Sequence, residues 1–290
     1  MPKIICGCFD CIANYWMNTL TDMVKTMHTK DVVAGLGEIG EPIFQLISTQ
    51  TNTIGYDVIP ELSKDRSKKC ESLPTRLLHI CIPFNDGFEK NVIELNKKFI
   101  AMGIVVHSTI RPGTTKNLQQ KLNIPLIYSP TRGVHKRMLY DLKRYTKFFA
   151  IEKNAPNAKW AISTYSNLLK ECKVKSKQMT DPMTLELAKI VCDTSYLGWL
   201  INYAQISNMI AIQHEVDYDE MWTFSDEIHK FLGNRPKMFP GYIGGHCVIP
   251  NLDLIHNQTL DLIRKMNNTY AKKVKNSKTI ARKYGARLDR

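Results

Sequence analysis

The sequence predicts an α/β fold: a doubly wound parallel sheet followed by a helical domain with one long central helix. Three observations support this prediction. Short apolar runs alternate with helical patterns, a glycine-rich turn joins the first run to the first helix, and a helical pattern continues from about Asp181 to Val216. Alternating strands and helices indicate a parallel sheet covered on both faces. We predict an N-terminal extension (1–28), an α/β domain (29–180), a helical domain (181–268) and a basic tail (269–290).

The α/β domain contains six strand-like runs, each apolar and bounded by turn residues. They are 31–34, 53–57, 77–83, 104–109, 125–130 and 147–151, with helical patterns through 43–47, 92–99 and 114–122 between them. Ligands of such sheets bind outside the carboxyl ends of the strands. Pro83, Thr109 and Ser129 fall at these ends.

The first strand leads directly into a dinucleotide fingerprint, GxGxxG, in the segment DVVAGLGEIG. Gly35 permits the tight turn, Gly37 lets a pyrophosphate reach the backbone, and Gly40 lets helix and strand pack closely. Glu38 and Ile39 complete the turn, where the helix offers free N–H groups to phosphate. The strand–turn–helix context makes the motif specific and predicts a Rossmann-type dinucleotide-binding domain.

An acidic residue, Asp57, ends the second strand. Its carboxylate is placed to accept hydrogen bonds from the adenosine ribose hydroxyls and to repel a 2′-phosphate, so we predict NAD rather than NADP as cofactor. We assign Pro83 and Thr109, at the ends of later strands, to the same cofactor site.

The long helix of the second domain begins with Asp181 and Pro182, an acidic N-cap followed by proline at the first helical position. Apolar residues cover more than one of its faces. A helix of this length and apolar surface is typical of a subunit interface, and we therefore predict a homodimer.

A second glycine-rich loop, FPGYIGGHC at 239–247, contains Gly241, Gly244, Gly245 and Cys247. Three glycines and a proline exclude a regular helix or strand and let the backbone approach a ligand. A thiol beside such a loop is a candidate nucleophile. The alternative is a surface turn followed by a buried structural cysteine.

The net charge of +13 indicates an anionic partner. Much of the excess lies in the last 30 or so residues, where a solvated basic helix is the alternative to a binding surface. No ladder of aromatic residues accompanies these charges as a single-strand binding surface would need, so we expect no nucleic-acid partner. A phosphorylated or nucleotide-linked small molecule suits the charge.

No apolar run reaches the roughly 20 residues that cross a bilayer, and polar residues interrupt the N-terminal segment, so we expect neither membrane association nor a signal peptide. The eight cysteines lack the spacing of a disulfide scaffold, which favours a cytoplasmic protein. Cys6, Cys8 and Cys11 cluster without a second ligand pair, and we predict no metal site.

Taken together, the segments VVAGLGEIG, HICIPF, VVHSTIRPGTT, YSPTRG, ELAKIVCDTSYLGWLIN and PGYIGGHCVIPN resemble the UDP-glucose/GDP-mannose dehydrogenase family, which includes the UDP-N-acetylmannosamine dehydrogenases. The resemblance covers about 30–260. It implies oxidation of a sugar primary alcohol to a carboxylate with two NAD. Cys247 would be the thiol that forms the thiohemiacetal and thioester, Lys189 would stabilise oxyanions, and Thr109 would position water or alcohol.

The resemblance also implies substrate contacts from Lys189, Asp193, Gly241, Gly244 and Gly245.

Three residues depart from the family pattern. Thr131 replaces a glutamate in the segment after the fifth strand, Asn251 replaces an aspartate that is a candidate base, and Asp193 replaces an asparagine. The family's C-terminal nucleotide-binding domain has no counterpart after Asn251, where a helix and the basic tail remain. We therefore predict an NAD-dependent dehydrogenase with altered carboxylates. The alternative is an NAD-binding paralogue without full turnover that serves as a partner or regulatory subunit.

Overall fold

The structure of the protein is a computed structural model that describes residues 29–65, 72–232, 240–244, 248–254 and 258–275. The chain divides into two compact units. The first comprises the chain up to Ser108 and Gly113–Leu185, and the second comprises Thr109–Pro112 and the chain from Glu186 onwards. The predicted N-terminal extension, its three cysteines and most of the basic tail lie outside the described residues.

An eight-stranded sheet forms the first unit, in the order β3-β2-β1-β4-β5-β6-β7-β8. The strands are β1 Lys30–Ala34, β2 Thr53–Tyr56, β3 Lys64–Asp65, β4 Thr75–Ile80, β5 Gly103–Val106, β6 Leu126–Tyr128, β7 Lys147–Ile151 and β8 Ser176–Gln178. The α/β prediction is confirmed. The sheet is mostly parallel, as predicted, with two exceptions: β2 pairs antiparallel with β3, and β6 pairs antiparallel with β7.

The reversal at β7 follows from its connection. A 3-10 turn at His135–Arg137 and one short helix at 138–144 lead from β6 to β7, so that Ile127 pairs with Ile151 and Tyr128 with Ala150. The connection, residues 129–146, is long enough for a parallel crossover, but a parallel pair would also require it to return the chain to the starting edge. Here the chain enters β7 from the edge at which β6 ends.

The described residues of the first unit include the helices α1 Gly40–Ile47, α2 Phe88–Phe99, α3 Thr114–Lys121, α4 Met138–Arg144 and α5 Ala158–Glu171. Helix α1 buries Ile43, Phe44, Leu46 and Ile47, the stripe expected of a helix lying on a sheet. The central strands are fully buried, and they end earlier than predicted, at Ile80 and Val106. Pro83 and Thr109 therefore lie in the loops beyond the strand ends.

A polar cluster lies within this apolar core. His79 Nδ1 and His107 Nε2 are 3.0 Å apart, and both rings are buried. Lys147, also buried, donates from Nζ to the carbonyl oxygens of Ser129 and Pro130 and to Thr131 Oγ1. Burial lowers the pKa of His79 to about 4 and that of His107 well below its usual value, with the Lys147 charge acting in the same direction. We conclude that the two histidines are neutral at pH 7.

The long helix of the sequence prediction is present, with a change of geometry in its middle. It consists of α6 Pro182–Leu187, a π-helical segment Ala188–Ser195 and α7 Tyr196–Gln213. Asp181 accepts hydrogen bonds from the Thr184 N–H (2.9 Å) and hydroxyl (2.8 Å), the predicted N-cap. Within the π segment, Thr194 Oγ1 donates to the Lys189 carbonyl, five residues earlier. Such π segments frequently occur at functional sites.

The other helices described in the second unit are α8 Tyr218–Leu232, the short α9 Ile249–Leu252 and α10 Gln258–Lys275. Helix α10 packs on α7, and α9 contacts the π segment. No helix among the described residues is long and apolar enough to cross a membrane.

Candidate functional site

The glycine turn after β1 has a geometry that requires two of its three glycines. Gly35 has φ +88°, and a Cβ there would lie 3.0 Å from the Cys81 carbonyl group. A Cβ on Gly40 would lie 1.6 Å from the Gly35 carbonyl oxygen, an impossible contact. Side chains are therefore excluded from Gly35 by its conformation and from Gly40 by packing.

The middle glycine differs from the other two. A Cβ on Gly37 would meet no atom of the described residues within 4 Å. The protein's own packing does not require glycine here, and the backbone faces open space just before α1. That is the arrangement expected where a pyrophosphate approaches the main chain and the N-terminus of the following helix. The turn therefore fits a dinucleotide.

Glu38 and Ile39 occupy the remaining positions of this turn. Ile39 is the N-cap residue of α1, and its side chain offers no hydrogen-bond acceptor to the helix N-terminus. Glu38 is half-exposed, and its Oε2 lies 2.9 Å from His135 Nδ1 in the loop after β6. The loop after β6 thus borders the glycine turn within the first unit.

Asp57 is held in a fixed orientation just after β2. Its Oδ2 accepts a hydrogen bond from the Leu36 N–H at 2.7 Å, and its Oδ1 accepts one from the Ile59 N–H at 3.0 Å. A carboxylate oxygen can accept more than one hydrogen bond, so both remain able to accept from hydroxyls. The neighbouring Val58 is 83% exposed and adds an apolar surface beside the carboxylate.

Of the other predicted cofactor residues, the structure places Pro83 in the loop after β4, in the same unit as the glycine turn. Pro83 is exposed, and the preceding Ile82 accepts a 2.5 Å hydrogen bond from Ser108 Oγ through its carbonyl oxygen. Thr109 belongs to the second unit and is partly buried.

The second unit places Lys189 and Asp193 together on the π segment. Lys189 Nζ lies 2.6 Å from Asp193 Oδ2, and the lysine side chain is only 12% exposed against 44% for the aspartate. The ammonium is thus largely enclosed and oriented by a carboxylate on the next turn. Asn251 lies on α9, the short helix that contacts this π segment, and is half-buried. Lys189, Asp193 and Asn251, all predicted from the sequence, therefore lie on two elements that contact each other, the π segment and α9.

The second glycine loop is described as far as Gly244. The Gly241 carbonyl accepts a hydrogen bond from Gln205 Nε2 at 2.8 Å. A Cβ on Gly244 would contact only the Tyr242 ring, at 3.5 Å, which is an ordinary distance. Gly245 and Cys247 lie outside the described residues, and the role of the thiol stays a prediction.

The structure shows the surroundings of Thr131, the residue that replaces a glutamate of the family pattern. Its side chain is buried, and its hydroxyl accepts a 3.0 Å hydrogen bond from Lys147. Sequence reasoning did not single out Lys147, because a lysine at the start of a strand gives no pattern that indicates burial. It also missed Gln205 and Asn267, whose buried amides contact the second glycine loop.

No protein-family model matches the sequence, and no curated protein matches it. Solved structures do match, at identities that establish the fold alone. A UDP-D-ManNAc dehydrogenase from Pyrococcus horikoshii aligns with TM-score 0.70 and 18% identity, over 86% of this chain and 70% of that chain. A UDP-N-acetyl-mannosamine dehydrogenase from Staphylococcus aureus aligns with TM-score 0.64 and 19% identity, over 85% of this chain and 69% of that chain.

A 3-hydroxyisobutyrate dehydrogenase from Mycobacterium tuberculosis aligns with TM-score 0.60 and 14% identity, over 86% of this chain and 94% of that chain. The resemblance predicted from the sequence segments is thus confirmed as a likeness of fold. The chain has the Rossmann-type architecture of these dehydrogenase structures.

Proposed function

We propose that this protein is an NAD-dependent oxidoreductase of the nucleotide-sugar 6-dehydrogenase type, acting on a sugar primary alcohol. The observation that carries the proposal is the open backbone face at Gly37 beside the oriented carboxylate of Asp57. Gly37 and Asp57 together suit the adenosine diphosphate part of the cofactor: the pyrophosphate would lie at the glycine turn, and the ribose hydroxyls would bind the Asp57 carboxylate. The similarity of fold to nucleotide-sugar dehydrogenases supports the substrate class.

The first unit would hold the cofactor through the Gly35–Gly40 turn, Asp57 and the loop at Pro83. Thr109, the further cofactor residue predicted from sequence, belongs to the second unit. When bound, NAD would supply the hydride acceptor. Asp57 would discriminate against NADP, because its carboxylate would meet the negative 2′-phosphate.

The second unit would supply the groups that act on substrate. Lys189, enclosed and oriented by Asp193, would stabilise negative charge on the substrate oxygen as the alcohol proton leaves. Cys247 would add through Sγ to the aldehyde carbon, giving a thiohemiacetal that becomes a thioester on the second oxidation. Water would then cleave the C–S bond, releasing the carboxylate and the thiol.

Two of the residues that depart from the family pattern, Asn251 and Thr131, affect the last step, the hydrolysis of the thioester. Asn251 carries a neutral amide that cannot accept a proton as a carboxylate does, and the Thr131 hydroxyl is bound to Lys147. We therefore expect thioester hydrolysis to be the slow step. The acyl-enzyme should then accumulate, and NADH should form in an initial burst.

The test is a screen for NADH formation across nucleotide sugars and sugar phosphates. The proposal predicts reduction of NAD with at least one of them, and two NADH per carboxylate formed. The Cys247→Ser variant should retain NAD binding and lose the second oxidation. If none of these substrates reduces NAD although NAD binds, the chain is the non-catalytic paralogue instead.

A second candidate substrate class is favoured by the match to 3-hydroxyisobutyrate dehydrogenase, which spans 94% of that chain. Oxidation of a small hydroxy acid needs one hydride transfer, for which an oriented lysine suffices and a thiol is unnecessary. The Cys247→Ser variant separates the classes, because it would leave hydroxy-acid oxidation unchanged.

We also propose a homodimer built on α7. The inner face of this helix carries small and polar residues such as Gly198, Asn202 and Gln205, whereas several of its large apolar side chains are exposed. These exposed apolar residues are Tyr196, Leu197, Trp199, Tyr203, Ile210 and Ile212. Tyr196, Trp199, Tyr203 and Ile210 share one face of the helix, and an exposed face with such large side chains is typical of an interface. Light scattering at micromolar concentration should return twice the monomer mass, and a monomer mass would contradict the proposal.

A further inference from the structure

Cationic and aromatic side chains alternate along one surface of the first unit. The Cζ atom of Arg144 lies 5.5 Å from the centre of the Tyr145 ring, and that of Arg132 lies 5.9 Å from the same centre. Arg132 Cζ also lies 4.9 Å from the centre of the Phe148 ring, and Lys177 Nζ lies 6.0 Å from it. All four distances fall within the roughly 6 Å at which a ring attracts a cation. We call these residues the cation–ring ladder.

The fold brings the members of the ladder together from separate parts of the chain. Phe148 on β7 is paired with Lys177 on β8, the last strand of the sheet, so their side chains lie on the same face. Arg132 lies in the loop after β6, where its Nη2 donates to the Thr146 carbonyl at 2.8 Å. The other two members lie at the end of α4. The ladder therefore runs from the end of α4 to the last strand of the sheet.

The cations of the ladder carry charge that no ion pair offsets among the described residues. Arg132, Arg144 and Lys177 form no ion pair with an acidic side chain in this part of the chain. Asp141, three positions before Arg144, is fully buried and forms its ion pair with Arg137 instead. The ladder therefore presents positive charge, in a protein whose net charge is +13.

Solvent reaches the ladder along its length. Arg144 and Lys177 are exposed at its two ends, and Arg132 and the two rings between them are half-buried. Two exposed lysines adjoin the ends in the sequence, Lys143 next to Arg144 and Lys175 two positions before Lys177. A ligand that lies along this surface can therefore contact both the charges and the rings.

The rings narrow the choice of partner. A basic patch without rings is most simply a solvated surface or a site for any polyanion. Here each ring orients two cations, which reduces the entropy lost when they bind a ligand. Ring faces and guanidinium planes are also surfaces on which nucleic-acid bases stack. A single strand presents phosphates and unpaired bases in alternation, as the ladder presents cations and rings, whereas an acidic peptide would use only the charges.

We propose that the cation–ring ladder binds single-stranded nucleic acid. Its contacts are to phosphates and base faces rather than to base edges, so binding tolerates many sequences. The expectation that nucleic acid is not a partner concerned the C-terminal charges, whereas the ladder lies in the first unit. The proposal uses none of the residues assigned to NAD or to substrate and does not rest on the proposed function.

The test measures the binding of a fluorescein-labelled oligothymidylate of about 12 nucleotides to the full chain by fluorescence anisotropy, without NAD or substrate. We expect binding at about 50 mM salt that weakens steeply as the salt concentration rises. A polyglutamate of equal charge should bind at least about tenfold more weakly, because it offers no bases to the rings.

Phe148→Leu isolates the contribution of the rings, because it keeps an apolar side chain and changes no charge. It should weaken oligothymidylate binding at least about fivefold and leave the salt dependence unchanged. Phe224→Leu is the matched control, since Phe224 is 87% exposed on α8 of the second unit. It should leave the affinity within about twofold of wild type, because Phe224 lies outside the ladder.

Lys177→Gln isolates the contribution of the charge. It should weaken binding and reduce the slope of log affinity against log salt concentration by about 0.7, the loss of one phosphate contact on a single strand. Lys272→Gln removes the same charge from an exposed position on α10, in the basic C-terminal region. It should leave this slope unchanged.

Circular dichroism checks the fold of each variant, and Tyr145→Leu replaces Phe148→Leu if the latter does not fold. No binding by the wild type, equal binding of polyglutamate, or equal effects of the ring variant and Phe224→Leu would overturn the inference. A loss of affinity in Lys272→Gln with none in Lys177→Gln would also overturn it, because the C-terminal charges would then be the binding surface. The assay does not involve the NAD site, so its failure leaves the proposed function standing.

Discussion

The two units use their buried polar groups in different ways. In the first unit, the proposed ligand site is made of backbone, with an open glycine at residue 37 and one oriented carboxylate, while the buried histidines lie elsewhere in the core. In the second unit, the proposed site is made of side chains and a loop, and the buried amides are directed at that loop. A backbone site is specified by local conformation, whereas a side-chain site depends on a supporting network.

The largest effect is expected at the backbone site. Gly40→Ala places a methyl group 1.6 Å from the Gly35 carbonyl oxygen, which forces α1 away from β1. We expect the free energy of unfolding to fall by about 3 kcal/mol and NAD binding to be lost. Chemical denaturation and NAD titration measure the two effects.

Gly37→Ala is the matched control, because within the part of the chain that the structure describes its methyl group would meet no atom within 4 Å. We expect stability within about 0.5 kcal/mol of wild type but NAD affinity reduced at least about tenfold. Equal loss of stability in both alanine variants would show that Gly37 is needed for folding rather than for a ligand.

The side-chain site should respond differently. Lys189→Met removes the enclosed ammonium next to Asp193. We expect kcat to fall by a factor on the order of 100 to 1,000, as for the loss of one oxyanion-stabilising group, with the Kd for NAD unchanged. Steady-state kinetics with whichever substrate the screen identifies provides the measurement. An unchanged kcat would remove Lys189 from the proposed mechanism.

The buried histidines of the first unit predict a smaller, pH-dependent effect. The pKa of His79 is lowered to about 4 by burial, and that of His107 is lowered as well, whereas the unfolded chain protonates near 6.5. Between these values the unfolded state binds protons that the folded state does not. The free energy of unfolding should therefore fall as the pH drops from 6.5 towards 4, by about 1.4 kcal/mol per pH unit for His79, and His107 should act in the same direction.

His79→Asn keeps a polar atom near the position of Nδ1 and removes one titrating ring. Urea denaturation of this variant and of the wild type at several pH values between 4 and 7 should show a shallower pH dependence in the variant. Parallel curves would mean that the acid sensitivity comes from carboxylates instead.

The contrast between the units also explains what could be predicted from sequence. The glycine turn and Asp57 were found because a strand, a turn and a helix with fixed glycine spacing form a local signal. The antiparallel direction of β7 was missed. The direction of a strand depends on the path of the connection before it, and that path produces no periodic pattern in the sequence. The π segment was also missed, because its residues fit the same apolar helical pattern as their neighbours.

The supporting residues of the second unit were missed for a related reason. Gln205 and Asn267 lie 62 positions apart, and their contact with each other and with the loop depends on how α7 and α10 pack. A polar residue on an amphipathic helix is most simply assigned to its solvent face. Only the packed structure shows that these two amides point inwards and bind the loop backbone.

The most direct test of the account is calorimetric titration of the full chain with NAD and with NADP. The account predicts one site per chain that binds NAD at least about tenfold more tightly than NADP, with this preference lost in Asp57→Ala. Equal or tighter binding of NADP by the wild type, or no binding of either dinucleotide, would contradict it.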